Sequence, residues 1–196
     1  MEFRPCGLEA VLIELGDSER HMLVENFRHH APQYRIVPAA QTLLVYGNPQ
    51  EIKDTIATFN LEGTCTRDKD TVVEIPVRYD GPDLERAAAL ANKSVEALIR
   101  WHQDGKWVAD FGGFSPGFMY LTRDNEPIDF PRLETPRPRL EAGSVGLAGL
   151  FSGIYPQASP GGWNIIGHTD SVLWDIDRDA PSLITPGDRV TFRSVN

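Results

Sequence analysis

The chain has 196 residues, a length that suits one large domain or two small ones. An apolar fraction of 41% and a charged fraction of 24% are ordinary for a soluble globular protein. The formal net charge of −9 repels phosphate backbones and anionic lipid, so nucleic acid and membrane surfaces are excluded as expected partners.

Leu8 to Leu15 is an apolar run broken only by Glu9 and Glu14, which predicts a buried strand. Ser18 is placed to cap a helix whose apolar face is Met22, Leu23 and Phe27. That helix ends in His29-His30, where cationic histidine suits a helix C-terminus. Tyr34–Pro38 and Thr42–Tyr46 read as two further strands. Asn48-Pro49-Gln50-Glu51 is a helix start: Asn48 caps, Pro49 takes the first position, and Ile52, Ile56 and Phe59 follow on one face. Val73, Ile75, Val77 and Tyr79 alternate with Glu74, Pro76 and Arg78, the pattern of a half-exposed strand. The order β-α-β-β-α-β predicts a ferredoxin-like domain over residues 1–79.

Asp80-Gly81-Pro82 breaks the chain, and a second domain is expected over residues 80–196. Pro82 opens a short helix through Leu90, which Asn92 can end. Ser94 caps another, with Val95, Leu98, Ile99 and His102 on one stripe and Gly105 at its end. From Lys106 onward only short strands and turn signals remain, down to Pro186-Gly187-Asp188 and a strand from Arg189 to Arg193. That pattern predicts a barrel or sandwich.

The N-terminus carries no apolar core with basic flanks, so no signal peptide is expected. No apolar run reaches the roughly 18 residues of a membrane span. Cys6 and Cys65 lie far apart, outside any metal-binding pattern, and read as unpaired thiols of a cytoplasmic protein. Asn92-Lys93-Ser94 matches a glycosylation sequon that has no meaning without secretion.

Candidate chemistry concentrates between Phe111 and Trp163, where glycine and proline alternate with large aromatics. Gly113-Phe-Ser-Pro-Gly117 matches the nucleophile-elbow pattern Gly-x-Ser-x-Gly. Pro116 rules it out, because the residue after the serine must donate its N–H to the oxyanion. His102 admits two readings, a hydrogen-bonded core histidine or a general base at a cleft rim. His168 reads as a surface turn residue. Arg132, Arg137 and Arg139 lie in a proline-rich segment of an acidic chain, and their planar forks suit carboxylate or carbonyl groups on a ligand, a partner or a neighbouring loop. Phe114, Phe118, Tyr120, Tyr155 and Trp163 either line a pocket or fill a barrel core. The sequence shows neither a glycine-rich phosphate loop with lysine nor a metal constellation.

Five ordered motifs carry a family resemblance. They are Phe111–Leu121 (Phe-x-Gly-Phe-x-Pro-Gly-Phe-x-Tyr-Leu), Pro131-Arg-Leu-x-Thr-Pro-Arg137, Ala142-Gly-Ser-Val145, Gly153-Ile-Tyr-Pro156 and Ser159-Pro-Gly-Gly-Trp-x-Ile-Ile-Gly167. With Gly81-Pro-Asp-Leu84 and His102 upstream, the chain resembles the PxpB/KipI family, also called allophanate hydrolase subunit 1 or carboxyltransferase domain subdomain C/D. The resemblance is strong from Tyr79 to Asn196 and looser before it. It implies an α+β chain, with an N-terminal α/β domain followed by a cyclophilin-like β-barrel. It implies a homologous subunit 2 (PxpC-like) as partner, with a large PxpA-like subunit. The activity implied is ATP-dependent opening of 5-oxo-L-proline to L-glutamate, with ATP used by the larger complex and no cofactor bound by this chain.

Within that reading His102 is expected to act as acid/base or ligand, and Arg137 to hold a carboxylate or carbonyl. Phe114, Pro116, Tyr155 and Trp163 are expected to shape the substrate pocket of a chain inactive alone. One branch of the family instead inhibits a histidine kinase. Allophanate hydrolysis or carboxyl transfer with a biotinylated partner are further alternatives. The chain departs from the family where Leu150-Phe151-Ser152 replaces a glutamine and threonine, in the turn between Leu121 and Pro131, and at His168.

Overall fold

The computed structural model describes residues 1–61, 71–123 and 125–196, and the chain divides into two compact units, Met1–Arg67 and Asp68–Asn196. In the first unit, strands β1 (Glu2–Pro5) and β2 (Ala10–Glu14) precede helix α1 (Asp17–His30). Strands β3 (Ile36–Pro38) and β4 (Thr42–Tyr46) then lead to helix α2 (Pro49–Ala57). The sheet is antiparallel in the order β1-β2-β4-β3. Period-two alternation sends Val11, Ile13, Leu43 and Val45 inward, where they meet Leu23 and Phe27 of α1 and Ile52 and Ile56 of α2. Asn48 caps α2 as expected, its side-chain oxygen accepting the N–H of Gln50 at 2.9 Å. Helix α1 begins before Ser18: Gly16 holds the cap position, and Glu19 reaches back to accept its N–H at 3.1 Å.

The ferredoxin-like expectation for residues 1–79 is corrected in one element. Val73–Tyr79 does not complete this sheet. The place beside β2 is filled by β1, a polar edge strand that no apolar alternation announces. Val72–Val77 belongs to the second unit, so the units divide at Arg67–Asp68 rather than after Tyr79. Cys6 is a free, exposed thiol, and Cys65 lies outside the described residues.

The second unit holds β5 (Val72–Val77), α3 (Leu84–Leu90), α4 (Val95–Gln103), β6 (Trp107–Gly112), β7 (Met119–Arg123), β8 (Arg137–Leu140), β9 (Ser144–Ala148), β10 (Phe151–Ile154), β11 (Ser159–Gly161), β12 (Asn164–His168) and β13 (Arg189–Ser194). Seven of these strands form one sheet in the order β12-β9-β10-β7-β6-β13-β5, with β8 and β11 as a separate pair. Its two edges meet where Arg78 and His168 exchange backbone hydrogen bonds of 2.8 Å in both directions, which leaves a nearly closed barrel. Strand β5 joins parallel to β13, as a long connection permits. Ile75, Val77, Trp107, Leu147, Ile166 and Val190 fill the barrel core, and Leu84, Ala87, Leu98 and Trp101 seal it from α3 and α4.

Helix α4 and the end of α3 follow their sequence signals, while α3 begins at Leu84, after Asp83 rather than at Pro82. Ser94 caps α4 by accepting the N–H of Ala97 at 3.2 Å. Asn92 ends α3 in the left-handed region at φ 52°, while the N–H groups of Asn92 and Lys93 bond back to Ala89 and Ala88 as in a Schellman stop. This is a mixed α/β chain with a barrel-like sheet, consistent with a cyclophilin-like second unit.

Candidate functional site

The loop between β6 and β7 is set by two tight turns in series. The Ser115 N–H bonds to the Gly113 carbonyl at 2.7 Å across Phe114, whose φ of 66° makes this a γ-turn of the strained kind. The Phe118 N–H then bonds to the Ser115 carbonyl at 3.0 Å, with Pro116 and Gly117 (φ 81°) in the central positions of a type II turn. Pro116 thus acts through backbone geometry. The turns push the Phe114 ring outward, 61% exposed, and draw Phe118 inward to 2%. The Ser115 hydroxyl oxygen is buried without a hydrogen-bond partner among the described residues, so no base activates it and no elbow exists here.

Beneath this loop lies a cleft of about 150 Å³ lined by Phe114, Phe118, Tyr120, Tyr155, Trp163, Arg132 and the paired Gly161 and Gly162. The aromatic rings meet edge to face: Phe118 stands 5.4 Å from Tyr155 and 5.4 Å from Trp163, and Phe114 stands 6.0 Å from Tyr155. Gly161 is required by this packing, since a Cβ there would lie 2.9 Å from the Tyr155 ring and 2.7 Å from Leu140. Burial pushes the Tyr155 hydroxyl up to about 12, while the charge of Arg132 and the N–H of Trp163 act in the other direction. Tyr155 is therefore a neutral donor at physiological pH.

Three of the expected pocket residues, Phe114, Tyr155 and Trp163, come together in this cleft; Pro116 is not among its lining. Phe118, Tyr120 and Arg132 complete it. Their sequence signal was membership of the aromatic and arginine sets, which could not say which faced inward.

His102 lies elsewhere, with no exposed surface. Its Nδ1 bonds to the Tyr79 hydroxyl at 2.8 Å, its Nε2 to the Ser152 hydroxyl at 2.9 Å, and its ring stacks on Phe192 at 4.0 Å. Burial, with the Arg123 charge adding to it, lowers its pKa to about 3. A neutral imidazole with both nitrogens engaged and no path to solvent links core elements. The acid/base role expected of it has no geometric support, and we replace it by a structural one.

Arg137 is also placed apart from the cleft. Its guanidinium grips Asp83 in a two-bond fork of 2.8 and 2.7 Å. The pair is anchored by the Ile165 N–H, which donates to Asp83 at 2.8 Å. Hydrogen bonding to Asp83 raises the Arg137 pKa above its ordinary value. Arg86 beside it bonds to the buried Asn164, and together with Leu133, Glu134 and Thr135 these arginines border an open depression of about 390 Å³. Through two of its N–H groups bound to Asp83, Arg137 clasps the loop after Tyr79 to β8. Arg139 pairs with Glu141 at 2.8 Å on the surface. His168 lies at the barrel closure, 3.6 Å from Asp170. Among the described residues, no group of three or more His, Cys, Asp or Glu side chains is arranged to hold a metal ion, and no helix is long and apolar enough to cross a membrane.

The sequence profile described as "Carboxyltransferase domain, subdomain C and D" matches residues 1–184. The chain belongs to this family. It is 44% identical over 124 residues to the B-type subunit of the 5-oxoprolinase of Bacillus subtilis (strain 168), a match covering 62% of this chain and 52% of that protein. The chain thus spans about half the length of the curated relatives it matches. Among solved structures, the conserved uncharacterized protein PH0987 from Pyrococcus horikoshii is 36% identical with a TM-score of 0.61, over 100% of this chain and 98% of its own. The urea amidolyase of Kluyveromyces lactis shares the fold at 16% identity, with a TM-score of 0.77 over 99% of this chain and 15% of its own.

Proposed function

We propose that this chain is the B-type subunit of an ATP-dependent 5-oxoprolinase, which opens 5-oxo-L-proline to L-glutamate. It pairs with a homologous subunit 2 to form a shared small-amide site, and works with a large third subunit where ATP is used. One observation carries the reading: among the described residues the cleft offers a guanidinium, a phenol hydroxyl and aromatic walls, but no carboxylate, imidazole or thiol. Hydrolysis needs a group that takes or gives a proton at the reacting centre. A cleft that binds but has no base is half of a site, and likeness to proteins named as B-type subunits of 5-oxoprolinase supplies the reaction. The cytoplasm, where ATP is available, is the compartment of the complex.

The test is co-expression with the subunit 2 and large-subunit homologues, followed by an assay for ATP-dependent glutamate formation from 5-oxo-L-proline. Turnover by the assembled complex and none by this chain alone is the expected result. Turnover by the complex with this chain omitted refutes the proposal. The exposed Phe114 favours a second reading, in which the same rim docks on a histidine kinase and inhibits it. A pull-down that recovers the subunit 2 homologue and no kinase rejects that alternative.

A further inference from the structure

The three arginines of the proline-rich segment have different surroundings. Arg137 is paired with Asp83 and Arg139 with Glu141. Arg132 lines the aromatic cleft, and its guanidinium has no hydrogen-bond or ion-pair partner among the described residues. In a chain of net charge −9, an unpaired cation beside a concave aromatic surface is the feature that points to an anionic ligand.

Tyr155 supplies a second fixed point. The residue is 2% exposed, and its ring is held edge-on to Phe118 and Trp163. The missing side chain of Gly161 lets the ring sit against the strand. The hydroxyl proton finds no acceptor among the described residues and is available to a ligand carbonyl. The cleft's volume of about 150 Å³ admits one small ring. Sites for drug-sized ligands run to roughly 300–1,000 Å³.

We infer that Arg132 and Tyr155 form a two-point recognition site for a small ring bearing both a carboxylate and an amide carbonyl. The carboxylate lies on the Arg132 fork, the carbonyl accepts the Tyr155 hydroxyl, and the ring packs against Phe114 and Trp163. The identity of the ligand as 5-oxo-L-proline rests on the proposed function; the two-point recognition rests on the cleft alone. A donor fixed in a buried wall discriminates strongly, because a ligand without the acceptor leaves it unpaired.

Three probes separate the two points when titrated by calorimetry into this chain and into its complex with subunit 2. They are 5-oxo-L-proline, 2-pyrrolidinone (ring and carbonyl without carboxylate) and L-proline (ring and carboxylate without carbonyl). 5-Oxo-L-proline binds at least about tenfold more tightly than either of the others, from the usual worth of one charged or buried hydrogen bond. Arg132→Ala weakens 5-oxo-L-proline by about ten- to a hundredfold and leaves 2-pyrrolidinone unchanged, with Arg132→Lys in between. Tyr155→Phe weakens both lactams and leaves L-proline unchanged. Thermal unfolding shows whether each variant is folded, and Arg132→Lys, on an exposed side chain, keeps the test valid if Tyr155→Phe is not. Wild-type affinity for 5-oxo-L-proline in folded Arg132→Ala and Arg132→Lys overturns the inference, even if the complex hydrolyses 5-oxo-L-proline. Failure of the wild-type chain and complex to bind any probe overturns it too. A complex without turnover whose cleft discriminates among the probes as stated sinks the functional proposal and leaves the site standing.

Discussion

Acidification tests the buried position of His102. Unfolded, the imidazole takes up a proton below its ordinary pKa of 6.5; folded, it does so only near 3. Across that window the unfolded state binds more protons, so stability is complete above pH 6.5 and falls as pH falls. The loss from this residue is about 1 kcal/mol by about pH 5.5 and about 3 kcal/mol by about pH 4.5. Losses of that size are a large share of a typical domain's total stability. All four tryptophans, Trp101, Trp107, Trp163 and Trp174, belong to the second unit, so urea unfolding followed by tryptophan fluorescence reports on that unit. The control is His102→Gln, which cannot titrate but can still reach the hydroxyls of Tyr79 and Ser152. It is less stable than wild type at neutral pH, because the stacking on Phe192 is lost, yet its stability falls less steeply between pH 6.5 and 4.5. Subtracting the two curves removes what the exposed carboxylates contribute. Parallel curves for the two proteins would show that the imidazole titrates normally in the fold, and the reasoning about its burial would be refuted.

Four further substitutions probe the frame of the site. Asp83→Ala strips Arg137 and the Ile165 N–H of their shared acceptor and costs about 2–4 kcal/mol in urea unfolding, less than a fully buried pair because Arg137 reaches solvent. A cost under about 0.5 kcal/mol would show that the clasp is idle. Gly153→Ala places a methyl 2.8 Å from the Phe118 ring and 2.9 Å from that of Trp163, costing about 1–3 kcal/mol and weakening 5-oxo-L-proline binding. Unchanged stability and affinity there would mean that the cleft walls yield freely. In the type II turn, Pro116→Ala costs under about 1 kcal/mol, since it only frees the unfolded chain. Gly117→Ala costs more, because φ is 81° and the new methyl meets Trp174 at 2.8 Å. The reverse order by thermal unfolding would contradict the turn assignment.

Local chemistry was legible where a short stretch carries its own instructions. The caps at Asn48 and Ser94, the stop at Asn92 and the alternation of Val11 and Ile13 all depend on neighbours within a turn or a strand. The motifs between Phe111 and Trp163 likewise marked the region of the cleft, because turns of that kind accept few residues other than glycine and proline.

Pairing and direction were decided elsewhere. Val72–Val77 shows the same alternation whether it borders one sheet or another, and only its parallel match with Arg189–Ser194 assigns it to the barrel. Glu2–Pro5 is a strand because Val11–Glu14 offers it a partner, not because its own side chains ask for one. His102 falls on an apolar stripe that fits a core or a cleft rim equally; the hydroxyls of Tyr79 and Ser152, one of them on a distant strand, make it core. Arg132 and Arg137 are five positions apart, one in the loop before β8 and one at its first residue, and identical in type. Asp83 captures one, while the Leu133 N–H, bonded to the Gly162 carbonyl at 2.8 Å, helps fix the loop that leaves the other facing the aromatic cleft. Residue types and turn chemistry are local properties and can be read along the chain. Which side chain meets which ligand depends on contacts between segments far apart in sequence, and those exist only once the barrel closes.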